Sequence, residues 1–303
     1  MLVIACPGQG AQKPGFLSSF LELEAFAQAI GEMSEACGLD LAALGTTADA
    51  EEIKDTAVAQ PLLVAAAIAA GQQLLPQAAP QLLAGHSVGE IAAAQLAGIL
   101  SPADAMRFVT VRAQGMARAS AAEPTGMAAV VGGQADDVLA AIGAAGLSPA
   151  NVNGGGQTVA AGSLAGIERL AEAPPERARV LPLTVAGAFH TAYMEPALPE
   201  LRETAGQLRA ADPTTPILTN ADGSAVDSGA RYVELLVHQV TNPVRWDLCQ
   251  STMLESGATG LLELVPGGTL TGIAKRALKG VETFAIKSAD DLDAAREFAA
   301  AHA

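Results

Sequence analysis

The stretch Gln81-Leu82-Leu83-Ala84-Gly85-His86-Ser87-Val88-Gly89-Glu90 decides the fold. An apolar run breaks into Gly-x-Ser-x-Gly and then into an alanine-rich pattern from Glu90 to Ile99. That order predicts a strand, a sharp turn and a helix, the arrangement of a nucleophile elbow. The flanking glycines give the turn its steric room, because larger side chains there would meet neighbouring backbone. The serine hydroxyl is left exposed at a helix N-terminus, where free N–H groups can stabilise an oxyanion. The five-residue match alone reads equally well as a structural turn, so the context has to decide.

Outward from the elbow, strand-like and helix-like segments alternate, which predicts an α/β protein with a largely parallel sheet. Leu2 to Cys6 reads as the first strand, followed by the loop Pro7-Gly8-Gln9-Gly10-Ala11-Gln12. Helices are predicted from about Ser18 to Ala36, Gln60 to Leu75 and Glu195 to Ala210. Ser101-Pro102 supplies an N-cap and first-turn proline for a long helix to about Ala119. Between Thr125 and Leu183 the order becomes βαββαβ, a ferredoxin-like pattern inserted as a unit. The expected organisation is therefore a hydrolase-like body, residues 1–124 and 184–303, carrying a ferredoxin-like subdomain, residues 125–183.

The chain has 303 residues, half of them apolar, and a formal charge of −15. That length can bury a substantial core, and the charge argues against nucleic acid as a partner. The apolar stretches are broken by Gln, Gly and Pro before membrane-spanning length, so no membrane association is expected. The N-terminus shows no basic, cleavable leader. Cys6, Cys37 and Cys249 are far apart and form no metal-ligand spacing, so no metal is expected and a cytoplasmic location fits.

A serine hydroxyl needs a base within hydrogen-bond reach, and the chain has four histidines. His302 sits in the C-terminal tail, predicted to fray, and His86 adjoins Ser87 with its ring expected to point away. His238 falls in a helical pattern and reads as solvated. His190, in Val185-Ala186-Gly187-Ala188-Phe189-His190-Thr191, lies in a loop between a strand and a helix and is the remaining base. No acid stands out as a third member: Asp136 and Asp137 open a helix, and Asp222 and Asp227 lie in a Gly-rich turn. A dyad oriented by a backbone carbonyl is as good a reading as a triad. Arg112, spaced along the long helix near Phe108, Val109 and Met116, reads either as a snorkelling arginine or as a fork for a substrate carboxylate.

Taken together, Pro7-Gly8-Gln9-Gly10, Gly85 to Glu90, Arg112, Asn153 to Gly162, Ala188-Phe189-His190, Thr241 to Trp246 and Thr271 to Arg276 carry a resemblance over nearly the whole chain. The sequence resembles the malonyl-CoA:acyl carrier protein transacylases of type II fatty acid synthesis and the related acyltransferase domains of polyketide synthases. The resemblance implies Ser87 as nucleophile, His190 as base and the main-chain carbonyl of Gln239 as the group orienting His190. It also implies an oxyanion hole from the N–H groups of Gln9 and Val88, and Arg112 as the carboxylate fork. Malonyl-CoA and holo acyl carrier protein are the implied partners, with ping-pong transfer and no cofactor. A hydrolase, in which water resolves the acyl-enzyme, is the competing class.

Three positions depart from the family pattern. Cys6 stands where Phe is common, Thr191 where Ser is usual, and Pro266-Gly267-Gly268 lacks a lysine often found there. The acidic charge then poses a question, because both implied partners are anionic. Lys275, Arg276 and Lys279 form one candidate basic cluster, with Lys13 and Arg245 as further contributors.

Overall fold

A computed structural model describes residues 1–75, 78–185 and 187–303. Ala186, read from the sequence as part of the loop before His190, lies outside the described residues. The chain opens with β1 (Leu2–Cys6), then α1 (Glu24–Cys37), α2 (Leu41–Thr46), α3 (Thr56–Leu74) and β2 (Leu82–Gly85). The elbow follows, leading into α4 (Gly89–Leu96) and the long α5 (Pro102–Ala122). Next come β3 (Thr125–Gly132), α6 (Ala135–Ala144), β4 (Ser148–Gly154), β5 (Gln157–Ser163), α7 (Leu164–Glu172) and β6 (Ala178–Pro182). The chain continues with α8 (Leu198–Gln207), β7 (Ile217–Leu218), β8 (Ala225–Val226), α9 (Gly229–Gln239) and α10 (Trp246–Glu255). It closes with β9 (Gly260–Glu263), α11 (Thr269–Ala277), β10 (Glu282–Ala285) and α12 (Leu292–His302).

Two sheets result. The larger has the order β10-β9-β1-β2-β7-β8, parallel throughout except for the β7–β8 pair at its edge. Its central strand, Leu-Val-Ile-Ala-Cys, is buried at every position, as a strand covered on both faces must be. The smaller sheet has the order β4-β5-β3-β6 and is antiparallel, with α6 and α7 packed on one face over Ala128, Val130 and Val180. The opposite face, carrying Met127, Ala129 and Val159, turns towards the body's core.

Several elements start where a side chain can satisfy the first free N–H groups. Ser101 Oγ accepts from the Asp104 N–H at 3.0 Å, with Pro102 beside it, so α5 begins at the predicted cap. α3 begins earlier than the sequence pattern suggests, at Thr56, because Asp55 Oδ1 accepts from the Ala57 N–H at 2.7 Å. It is long and apolar enough to cross a membrane by composition, yet 78% of that stretch is buried inside the protein. The predicted helix from Ser18 is instead a 3-10 turn, Phe20–Glu22, and then α1, because Leu23 adopts an extended backbone between them. The helix expected from Glu195 splits likewise into a 3-10 turn over Ala192–Ala197 and α8, which ends at Gln207. His302 is not frayed: it sits in α12 with Nδ1 3.0 Å from Thr259 Oγ1 and its ring against Phe298. That packing, invisible to a tail-end position in sequence, holds the last turn against β9.

Candidate active site

The elbow stands at the C-terminal end of β2, where the parallel sheet directs its strand ends into one crevice. A Cβ on Gly85 would overlap the backbone of Gly89, and one on Gly89 would overlap the carbonyl of Cys6. Both positions therefore need glycine. Ser87 itself is held at φ 54° and His190 at φ 60°, the left-handed region that side chains seldom occupy. Two non-glycine residues so held, facing each other, mark a site whose surroundings over-determine its geometry.

Ser87 Oγ lies 2.7 Å from His190 Nε2, and His190 Nδ1 lies 2.8 Å from the Gln239 carbonyl oxygen. A carbonyl only accepts, so Nδ1 carries the proton and Nε2 turns its lone pair to the hydroxyl. Burial, reinforced by the positive charge of Arg112, lowers the imidazole to about 3, so it is neutral near pH 7. Of the two sequence readings, dyad or triad, the structure has the carbonyl. Among the described residues, no carboxylate hydrogen-bonds His190.

Gln9 and Val88 line the same cavity as Ser87 and His190, a space of about 210 Å³. Among the described residues, neither of their backbone N–H groups has a protein acceptor. Two free donors beside a serine hydroxyl are what an oxyanion would use. The rest of the cavity wall is largely apolar, with Met127, Val159, Phe189 and Leu270.

Arg112 is fully buried on α5, so the snorkelling alternative is excluded. Nη1 donates to Gln60 Oε1 at 2.6 Å and Nη2 to Gln239 Oε1 at 2.7 Å. Desolvation lowers it to about 10, which leaves it cationic at neutral pH. The guanidinium is not among the residues lining the cavity; Gln60 and Met116 are. Its two partners are neutral amide oxygens, weaker acceptors than a carboxylate.

Gln239 joins these parts. Its side-chain Nε2 donates to the Ser87 carbonyl at 2.9 Å and to Glu90 Oε2, while its Oε1 faces Arg112. Asn220, wholly buried, accepts the Ser87 N–H on Oδ1 at 2.8 Å and donates from Nδ2 to the Gly85 carbonyl at 2.8 Å. Its own N–H goes to Glu90 Oε1 at 2.7 Å. Burial pushes the Glu90 carboxyl up to about 8, opposed by these donors and by Arg112.

The sequence alone points to no role for three residues of this network, Asn220, Gln60 and Glu90. Glu90 stands inside the quoted motif, and Asn220 directly follows the strand at Pro216 to Thr219, which were the available signals. His86 does point away, with Nε2 2.8 Å from Asn153 Oδ1 and its ring edge-on to Trp246. His238 is exposed and His302 lies on β9, so neither belongs to the site. Arg245 is paired with Asp247 through two contacts of 2.9 and 2.8 Å, and Arg276 donates to the Gly155 carbonyl.

Residues 3–297 match the family model described as an acyl transferase domain. The chain is 50% identical over 297 residues to the malonyl CoA-acyl carrier protein transacylase of Mycobacterium tuberculosis (strain ATCC 25618 / H37Rv), covering 97% of this chain and 98% of that one. The crystal structure of MCAT from Mycobacterium tuberculosis superposes with a TM-score of 0.94 at 50% identity, covering 98% of this chain and 99% of the other. A type II PKS acyl-carrier protein in complex with its malonyl-transacylase, PlMCAT:AntF (holo), is also similar. Its TM-score is 0.92 at 32% identity, covering 98% of this chain and 99% of that one.

Proposed function

The chain belongs to the acyl transferase domain family, and from that premise we propose that it transfers malonyl groups from malonyl-CoA to the phosphopantetheine thiol of acyl carrier protein. The observation that carries the reading is the Ser87–His190–Gln239 carbonyl line, 2.7 and 2.8 Å long, beside two free N–H donors. Transfer in this way supplies fatty acid or polyketide synthesis, needs no cofactor and operates in the cytoplasm. In fold terms the body is hydrolase-like, and residues 125–183 form a ferredoxin-like subdomain that covers the site.

The reaction runs in two halves. His190 Nε2 takes the Ser87 proton as Oγ attacks the thioester carbonyl carbon, and the N–H groups of Gln9 and Val88 hold the resulting oxyanion. The intermediate collapses, the C–S bond breaks, and the departing CoA sulfur receives the proton from His190. The carrier thiol then gives its proton to His190 and attacks the malonyl-serine ester; the C–O bond breaks, and His190 hands the proton to the departing Ser87 Oγ, restoring the free hydroxyl. Throughout, the Gln239 carbonyl keeps the imidazole in the tautomer that presents Nε2.

Arg112 accounts for selectivity. A malonyl carboxylate replaces one of the two amide oxygens with a charged acceptor, while an acetyl group leaves the fork on its neutral partners. The isolated malonyl-enzyme, chased with holo carrier protein or with buffer alone, tests the transfer. Malonyl appearing on the carrier faster than free malonate appears in buffer supports a transferase. Equal loss of the label to water in both arms favours a hydrolase.

A further inference from the structure

Among the described residues, no lysine or arginine lines the catalytic cavity, yet in the proposed function every substrate carries its thioester on a pantetheine arm that ends in phosphate. A second cavity, of about 240 Å³, shares Gln9 and Val185 with the first and so continues it outward. Lys13 and Lys54 line it from two separate segments of chain. The chain has only five lysines and a net charge of −15, so a cavity lined by two of them and, among the described residues, by no carboxylate stands apart from the rest of the surface.

The two walls are tied together. Gln12 Oε1 accepts from the Gly10 N–H at 2.8 Å, and Gln12 Nε2 donates to the Ile53 carbonyl at 3.1 Å. One side chain thus fixes the spacing between the loop of Lys13 and the turn of Lys54. Among the described residues, Lys13 has no carboxylate within ion-pair distance. Among the described residues, Lys54 pairs with Glu51 alone, at 3.5 Å, whose side chain is 84% exposed. Of the neighbouring acids, Asp49 accepts the Glu51 and Glu52 N–H groups and Asp55 caps α3, and neither lines the cavity.

Other cationic features near the site are committed or remote. The N-terminus of α11, whose Thr269 and Leu270 line the catalytic cavity, is already filled by the buried Glu263 carboxylate, which accepts from Gly268, Leu270 and Thr271. Arg245 is held by Asp247, and Lys275, Arg276 and Lys279 line neither cavity. We infer that the Lys13–Lys54 cavity binds the phosphate at the far end of a pantetheine arm whose thioester lies at Ser87. The inference rests on the proposed function for the identity of the arm.

The test uses the full chain with Lys13→Gln, Lys54→Gln and the double substitution, all at exposed side chains that leave the core untouched. Each single change is expected to raise KM for malonyl-CoA about threefold at low salt, and the pair about tenfold, with the effect on KM and not on kcat. Malonyl-pantetheine, which has no phosphate, should show no such rise, and Lys287→Gln, at an exposed lysine that lines neither cavity, should behave as wild type with both. Holo carrier protein as acceptor separates the sources: a KM rise with malonyl-CoA alone assigns CoA phosphate, and a rise with the carrier alone assigns its phosphodiester. If neither KM rises, or if malonyl-pantetheine suffers equally, the cavity is not a phosphate site. A wild type that takes no malonyl group on Ser87 defeats the proposed function itself, a distinct outcome.

Discussion

The two sheets contribute to the site in different currencies. From the parallel body come Ser87, His190, Gln239, Arg112, Glu90 and Asn220, all buried or nearly so and joined by hydrogen bonds. From the antiparallel sheet come three apolar side chains, Met127, Ala129 and Val159, and three neutral amides, Asn151, Asn153 and Gln157, none of which hydrogen-bonds Ser87 or His190 among the described residues. A buried polar group is costly unless every donor and acceptor is met, so the body's network tolerates little change. An apolar wall loses only volume and contact area when trimmed. The difference predicts that the body sets chemistry and the small sheet sets shape.

Substitutions on the two sides should then separate by magnitude. Ser87→Ala removes the proposed nucleophile and is expected to lower transfer by about 10⁴-fold or more, measured as the rate of acyl-enzyme formation. His190→Ala removes the proposed base and should cost roughly 10³-fold in the same assay. The lowered His190 value has a pH consequence. A ring that stays neutral down to about 3 keeps its base where an ordinary histidine would lose it, so acylation should show no inflection near 6.5, and any inflection near 8 belongs to Glu90. The sign for stability follows too: the unfolded ring takes a proton first, so this group costs stability as pH falls from about 6.5 towards 3.

Asn220→Ala comes next. It strips the Ser87 N–H and Gly85 carbonyl of their partners inside the core, an expected loss of about 2–4 kcal/mol by denaturant unfolding. Arg112→Ala should lower the malonyl-over-acetyl ratio by about 10- to 100-fold, because a charge-assisted hydrogen bond is lost for one substrate only. Val159→Ala, on the small sheet, should change either rate by less than about fivefold. A Val159 effect matching that of Arg112 would break the division between the two sheets.

The sequence made one part of this legible and hid another. Local geometry carried the elbow: glycine at both flanks, an apolar run before it and an alanine-rich helix after it. His190 emerged because few histidines competed and its neighbours read as a loop. The network behind them is tertiary and leaves no local pattern. Asn220 meets Ser87 across 133 residues and Gln239 meets Ser87 across 152, distances at which no periodicity survives. The two acceptors of Arg112 were hidden for the same reason, since Gln60 reads simply as one polar residue in an apolar helix. Short breaks such as Leu23 also escape, because one extended residue between two helical stretches barely disturbs the hydrophobic pattern.

The most direct measurement is the intact mass of the chain after mixing with malonyl-CoA, followed by peptide mapping of the modified position. One malonyl group on Ser87, absent from Ser87→Ala, is the expected result. A wild type that stays unmodified, or that carries the group on another residue, contradicts Ser87 as the nucleophile.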